Sequence, residues 1–171
     1  FVLACKDPKW ELSIPEPDEK NVVTVKEALA GLPNVIPNSN EEGKEYEDQE
    51  SDYSKKMKDL DFWKRLNFNN KLTYHMPMKH RAYTLERFGL LNQGESLKDL
   101  FDRYIGEERI QLQERRVLPK KMFIKRNYRL IEEQPSPTVT SHCLDEFVHP
   151  IYNRALTVRE CARLQSFPDS Y

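Results

Sequence analysis

The stretch RALTVRECARLQSFPDSY, residues 154–171, constrains the fold more than any other part of the chain. Thr157 and Glu160 stand in the S/T-x-x-E spacing of a capping box, in which hydroxyl and carboxylate each satisfy an orphan backbone N–H. Leu156, just before the cap, is placed to staple against Cys161. Cys161, Leu164 and Phe167 recur at spacing three as a narrow apolar seam. Arg159 and Arg163, four residues apart, belong to another face. Pro168 stops the helix at Phe167, because the residue before a proline is pushed out of the α region. The expectation is a short stiff helix, apolar on one side and doubly basic on another, whose packing partner lies elsewhere.

A length of 171 residues suits one domain, or a domain with appendages. At 38% hydrophobic and 32% charged residues the chain is core-poor. No apolar run approaches the roughly 20 residues that cross a bilayer, so no membrane partner is expected. FVLAC at the start is too short for a signal peptide and has no basic residues ahead of it. A first residue of Phe rather than Met leads us to expect that the amino end lies outside this sequence. Cysteines stand at positions 5, 143 and 161, none in a C-x-x-C pair. That disfavours a disulfide framework and favours a reducing compartment. His142, Cys143 and His149 invite a metal reading but lack a fourth ligand, so no metal is expected.

The net charge of -1 hides a separation along the chain. Residues 41–61 hold nine acids against four bases, whereas residues 109–129 hold eight bases against one acid, Glu114. Such blocks are often solvated faces. With Phe123, Asn127 and Tyr128 among the cations, the basic block is also compatible with an electrostatic footprint for nucleic acid.

FVLAC reads as a buried strand with no visible sheet to join. Thr24 and Glu27 form a second capping box, opening a short helix through Leu29 that Gly31 and Pro33 end. Residues 34–54 are polar, acidic and poor in apolar residues and read as surface loop or disordered chain. A short helix over 57–66 would carry Trp63, and 72–82 looks irregular. Leu97, Leu100, Phe101, Tyr104 and Ile105 share one face of a helix with Gly106 as its stop. Residues 110–118 fit either helix or strand, and 122–130 are rich in strand formers. PSPTVTS, residues 135–141, is extended by its prolines and β-branched residues. The fold class expected is α+β, a small irregular domain of mixed short strands and helices.

Catalytic chemistry is hard to assemble from these residues. A nucleophile needs a base and an orienter. Cys5 and Cys161 read as core, and Cys143 beside His142 has only adjacency. Five glycines in total include neither G-x-G-x-x-G nor a P-loop. No complete active site is expected, and no catalytic residue is assigned.

The C-terminal stretch does more than cap a helix. R-x-L-T-x-R-E-x-A-R-L-Q-x-F-P-D resembles the ninth motif of the DNA (cytosine-5) methyltransferases. The match runs through Arg154, Leu156, Thr157, Arg159, Glu160, Ala162, Arg163, Leu164, Gln165, Phe167, Pro168 and Asp169. PSPTVTS resembles the P-x-P-T-[IV]-T element that ends that family's target-recognition region. VTVKEALAGLP resembles the segment following the eighth motif, whose strand FVLAC would complete.

The resemblance implies a division into 1–36, the end of a catalytic-domain strand with its following helix; 37–61, an acidic surface loop; 62–150, a target-recognition domain; and 151–171, the ninth-motif helix. It implies that the Rossmann-like catalytic domain, with S-adenosylmethionine and a Pro-Cys-Gln nucleophile, precedes this chain, and that the closing motif follows it. This chain alone would bind no cofactor and transfer no methyl group. Its partners would be double-stranded DNA and the remainder of the catalytic domain, in a prokaryotic cytoplasm. Thr138 and Val139 match the family's Thr-Leu or Thr-Ile pair beside the flipped nucleotide, Val139 departing from the commoner residues. Thr138 would bond a phosphate, with Thr140, Lys120, Lys121, Lys125, Arg126 and Arg129 as further DNA contacts. Arg159, Glu160 and Arg163 would be structural residues of the domain junction. Base-edge readers would come from 62–141: Asn69, Asn70, Gln93, Gln111, Gln113, Arg115, Arg116 and Arg126. A relative acting on tRNA, and a stand-alone DNA-binding module without catalysis, stay open as alternatives.

Overall fold

The computed structural model describes residues 21–43, 45–64, 71–121, 126–140 and 146–171. The strand expected at FVLAC, and the candidates Asn69, Asn70, Lys125, His142 and Cys143, lie outside the described residues. Among those described, seven short helices and one pair of two-residue strands surround two apolar clusters. The arrangement is α+β.

Helix α1, Val25–Leu29, opens on the expected box: Thr24 Oγ1 accepts from Glu27 N at 3.2 Å while Glu27 Oε2 accepts from Thr24 N at 2.8 Å. Gly31, at φ 77°, turns the chain directly after it. Helix α2, Asp52–Lys58, corrects the expectation of loop through residue 54. Ser51 caps it reciprocally with Ser54, and burial of Met57 at 2% exposure anchors it. Helix α3, Leu60–Trp63, starts at Asp59 and ends at Lys64 in the left-handed region. Residues 71–81 have no regular structure, as their prolines and histidines suggest.

Helices α4 (Ala82–Leu90), α5 (Leu97–Arg103) and α6 (Gly106–Glu114) follow. Gly106 is therefore not simply a stop: at φ 57° it is the first residue of α6, which settles the 110–118 ambiguity as helix through Glu114. Phe88, Leu91, Leu97, Leu100, Leu112 and Leu118 interlock as the first cluster. Leu100 is fully buried; truncating such a leucine to alanine costs about 2–5 kcal/mol.

Strand β1, Tyr128–Arg129, runs parallel to β2, Phe147–Val148, with Tyr128 opposite Phe147. Successive strand residues face opposite sides, and β2 uses this to join the halves. Val148 enters the first cluster, while Phe147 enters the second with Val25, Leu29, Leu130, Leu156 and Cys161. Helix α7, Val158–Leu164, closes the second cluster through Cys161 and Leu164. Its arginines do not form a solvent face. Arg159 is 1% exposed and Arg163 is 0%.

Candidate nucleic-acid interface

The PSPTVT segment leaves β1 through Leu130 and runs extended across the surface. Thr138 and Thr140 are exposed, and Val139 is partly buried against the second cluster. The threonines line a cleft of about 400 Å³ with Pro137, Arg126, Tyr128 and Phe147. Glu146 shares this wall and accepts from Thr140 Oγ1 at 2.7 Å. Tyr128 offers a half-buried ring, and Arg126 sets a cation at the rim. The cleft thus brings together a hydroxyl donor, a guanidinium and an aromatic face. Those are groups that hold a phosphate and a base.

The basic block divides on folding. Arg109 lies over the Phe101 ring at 4.2 Å and donates from Nε to Tyr104 O at 2.6 Å. Arg115 pairs with Glu86. Arg116, Lys120, Lys121 and Arg126 are exposed.

Arg129, expected to contact DNA, is 4% exposed and is a structural clamp instead. Its Nη1 donates to His149 O at 2.9 Å, and Nη2 donates to Phe88 O at 2.5 Å and Asn153 Oδ1 at 2.7 Å. Burial lowers its pKa from the usual arginine value. A guanidinium buried this way and turned onto carbonyls from two elements does not reach the surface to meet a phosphate.

Two of the expected base readers are likewise committed. Gln93 Nε2 donates to Glu132 Oε2 at 2.9 Å and Gln113 Nε2 to Pro119 O at 3.0 Å. Gln111 and Arg116 remain exposed.

Arg126 also lines a second cleft, of about 340 Å³, together with Lys79, His80, Arg81, Arg87 and Asn127. Among the described residues no carboxylate lines it. Sequence reasoning passed over Lys79 and Arg81 because residues 72–82 showed only irregularity; the consecutive Lys-His-Arg was the available signal. Arg87 is spent internally, donating from Nε to Val117 O at 2.5 Å and from Nη2 to Arg116 O at 3.1 Å. His80 Nε2 accepts from Ala155 N at 3.3 Å. Lys79, Arg81, Arg87 and Arg126 give this cleft its positive character, and Arg126 also lines the Thr138 cleft.

Behind this surface, α7 is held by buried ions. Glu160 takes both Nη groups of Arg154 at 2.8 and 2.7 Å and accepts from Thr157 N at 2.7 Å. Burial alone would raise the Glu160 pKa, but the facing Arg154 guanidinium prevails and holds it at about 2. Arg159 donates to Thr73 O, Thr73 Oγ1 and Tyr171 O at 3.0, 2.9 and 2.6 Å. Arg163 pairs with Asp169 and donates to Ala28 O at 3.1 Å. The expected junction residues thus join α7 to residues 71–81 and to α1.

His75, fully buried, lies within 2.7 Å of Pro33 O through Nε2 and 2.8 Å of Thr157 Oγ1 through Nδ1. A carbonyl only accepts, so Nε2 carries the proton and Thr157 donates to Nδ1. The Thr157 oxygen still accepts from Glu160 N, completing the cap. Burial lowers the His75 pKa.

No group of three His, Cys, Asp or Glu side chains suited to a metal occurs among the described residues. His149 Nδ1 is already occupied, accepting from Ile151 N and Tyr152 N at 3.1 Å each. A cleft of about 960 Å³ is lined by Glu42, Glu45, Glu47, Asp48 and Glu50 together with Lys58 and Lys71, and the five glycines are dispersed singly along the chain.

Known proteins share this chain's sequence and shape. Over 99 residues it is 36% identical to the type II methyltransferase M.DdeI of Desulfomicrobium norvegicum, covering 57% of this chain and 23% of that protein. Over 94 residues it is 35% identical to the type II methyltransferase M.AquIB of a Picosynechococcus species, covering 55% of this chain and 54% of that protein. The crystal structure of a prophage-encoded E. coli protein, titled as a DNA modification methyltransferase, superposes with a TM-score of 0.53 at 26% identity. That match covers 90% of this chain and 39% of the other. The chain thus spans from about a quarter to about half of the length of these curated relatives. The family described as C-5 cytosine-specific DNA methylase matches over residues 8–171, and the chain belongs to it.

Proposed function

We infer that this chain is the target-recognition portion of a DNA (cytosine-5) methyltransferase of the type II restriction-modification kind. The parent enzyme transfers a methyl group from S-adenosylmethionine to carbon 5 of a cytosine within a specific duplex sequence. The observation that carries the reading is the convergence of Thr138 and Arg126 on one cleft, with Arg126 also lining the basic cleft of Lys79 and Arg81.

In this reading the cations hold the phosphate backbone, a term that fixes register without reading sequence. Thr138 donates to a phosphate beside the extruded nucleotide, and exposed Arg116 and Gln111 are the side chains for base edges. Cofactor and nucleophile are assigned to parts of the parent outside residues 1–171, because no Pro-Cys-Gln occurs in this sequence. The isolated chain is then inactive. Arg159, Glu160 and Arg163 keep the recognition surface in register with α7, which packs at the junction with the catalytic domain.

The test is a swap of residues 62–141 into a related methyltransferase of known target, with the ninth-motif helix left native. The expected hybrid methylates the target of this chain's parent. An active hybrid that keeps its old target site sinks the assignment.

A further inference from the structure

Helix α1 is held at both ends by segments distant in sequence. At its start, Val25 N donates to Gln134 O at 2.9 Å and Lys26 N to Glu132 O at 3.0 Å. These first-turn amides have no partner within the helix, so the turn after β1 supplies one. Lys26 Nζ reinforces this with Glu133 Oε1 at 2.8 Å. At its end, Arg163 Nη1 reaches from α7 to Ala28 O and Ala30 O at 3.1 and 3.4 Å. Helix α1 therefore spans the gap between α7 and the root of the Pro135–Thr140 segment.

That segment is stiff. Pro135 and Pro137 fix their own φ angles, and the residues before them, Gln134 and Ser136, are confined to extended backbone. A stiff rod anchored at Gln134 O carries the placement of its root outward to Thr138. Val139 supplies a second hold by packing into the cluster that contains Val25 and Leu29.

We propose that α1 is a strut that positions Thr138, with the Val25 amide as the positioning group, so that the setting of α7 is transmitted to the nucleotide-facing threonine. This rests on the reading of Thr138 as a DNA-contacting residue. The Val25 amide acts through Thr138 and touches no substrate.

The test compares Val25→Pro with Val25→Ala in the complete methyltransferase. Proline is tolerated at the first helical position, and Thr24, at φ −80° and ψ 161°, already has the backbone that a following proline requires. Both variants lose the valine side chain, but only proline removes the N–H. Val25→Pro should turn over about tenfold more slowly than Val25→Ala, with KM for duplex DNA unchanged and faster hydrogen–deuterium exchange across 131–140. Equal exchange in the two variants overturns the strut. So does altered exchange with equal turnover, provided Thr138→Ala is itself slow. If Thr138→Ala turns over normally, the role of Thr138 falls, and the exchange difference alone decides whether α1 holds the segment. Should Val25→Pro fail to fold, exposed Pro135→Gly, which loosens the rod and leaves α1 intact, replaces it. Slower turnover at unchanged KM then supports the strut, and wild-type turnover overturns it.

Discussion

Arg163 and Asp169 form a two-pronged ion pair sealed from solvent, with Nε donating to Oδ1 at 2.5 Å and Nη2 to Oδ2 at 2.6 Å. The same carboxylate accepts from the Tyr46 hydroxyl at 2.9 Å, and the same guanidinium closes the end of α1. One pair therefore ties α7, α1 and the acidic segment together.

Asp169→Asn leaves Arg163 charged and buried without its counter-ion. Breaking a buried pair from one side costs about 3–5 kcal/mol. Urea unfolding should show a loss of that size. A loss below about 1 kcal/mol would place this pair with those that contribute nothing measurable.

DNA binding should depend steeply on salt, because each phosphate contact releases a counterion. Replacing Lys120, Lys121, Lys125 and Arg126 by Ala should weaken binding to all sequences alike and flatten the slope of log K against log salt by up to about 3–4. Lys79→Ala with Arg81→Ala should act in the same direction. Unchanged binding at low salt in these variants makes the basic block a solvated face. Arg129→Ala should instead lower stability, since its guanidinium holds Phe88, His149 and Asn153 together.

Thr138→Ala in the complete enzyme should lower methylation roughly ten- to a hundredfold, the equivalent of one charged hydrogen bond of about 1.5–3 kcal/mol. Thr138 is exposed, so the melting temperature should stay within about a degree or two of wild type. A normal methylation rate on duplex DNA shows that Thr138 does not face the reacting nucleotide.

Stability should fall on acidification in two stages. Burial, despite the nearby Glu160, lowers the His149 pKa from 6.5 to about 4. Adding a proton at Nδ1 would also break its bonds from Ile151 N and Tyr152 N. The unfolded chain takes up this proton first, so the contribution is complete above about 6.5 and is lost as pH falls toward 4. At about 1.4 kcal/mol per pKa unit, that loss approaches about 3 kcal/mol; His75, also lowered by burial, adds in the same direction. Glu160, held at about 2 against 4.5, is stabilising above about 4.5 and loses its contribution as pH falls toward 2. Unfolding measured from pH 8 to 3 should show both stages. His149→Phe should flatten the first, and an unchanged profile in that variant removes His149 as its cause.

Elements whose causes are local can be read directly from the order of residues. Thr24 with Glu27 and Thr157 with Glu160 cap their helices within three residues, so both starts were legible, as were the turn at Gly31 and the extended PSPTVT. Ser51 with Ser54 was missed because serine in place of Glu or Gln weakens the signature, and burial of Met57 gives the rest. The identity of residues 154–169 as a family motif was also legible, being a pattern of residue types. Tertiary structure decided which arginines meet solvent. Arg159 finds its acceptors 86 residues away at Thr73, and Arg163 finds one 135 residues away at Ala28. Arg129 and Arg126 stand three apart in one basic block, yet one is buried against carbonyls and the other lines both clefts. A guanidinium leaves water only where carbonyls or a carboxylate converge to replace its hydration, and that convergence is made by distant chain segments meeting in the fold.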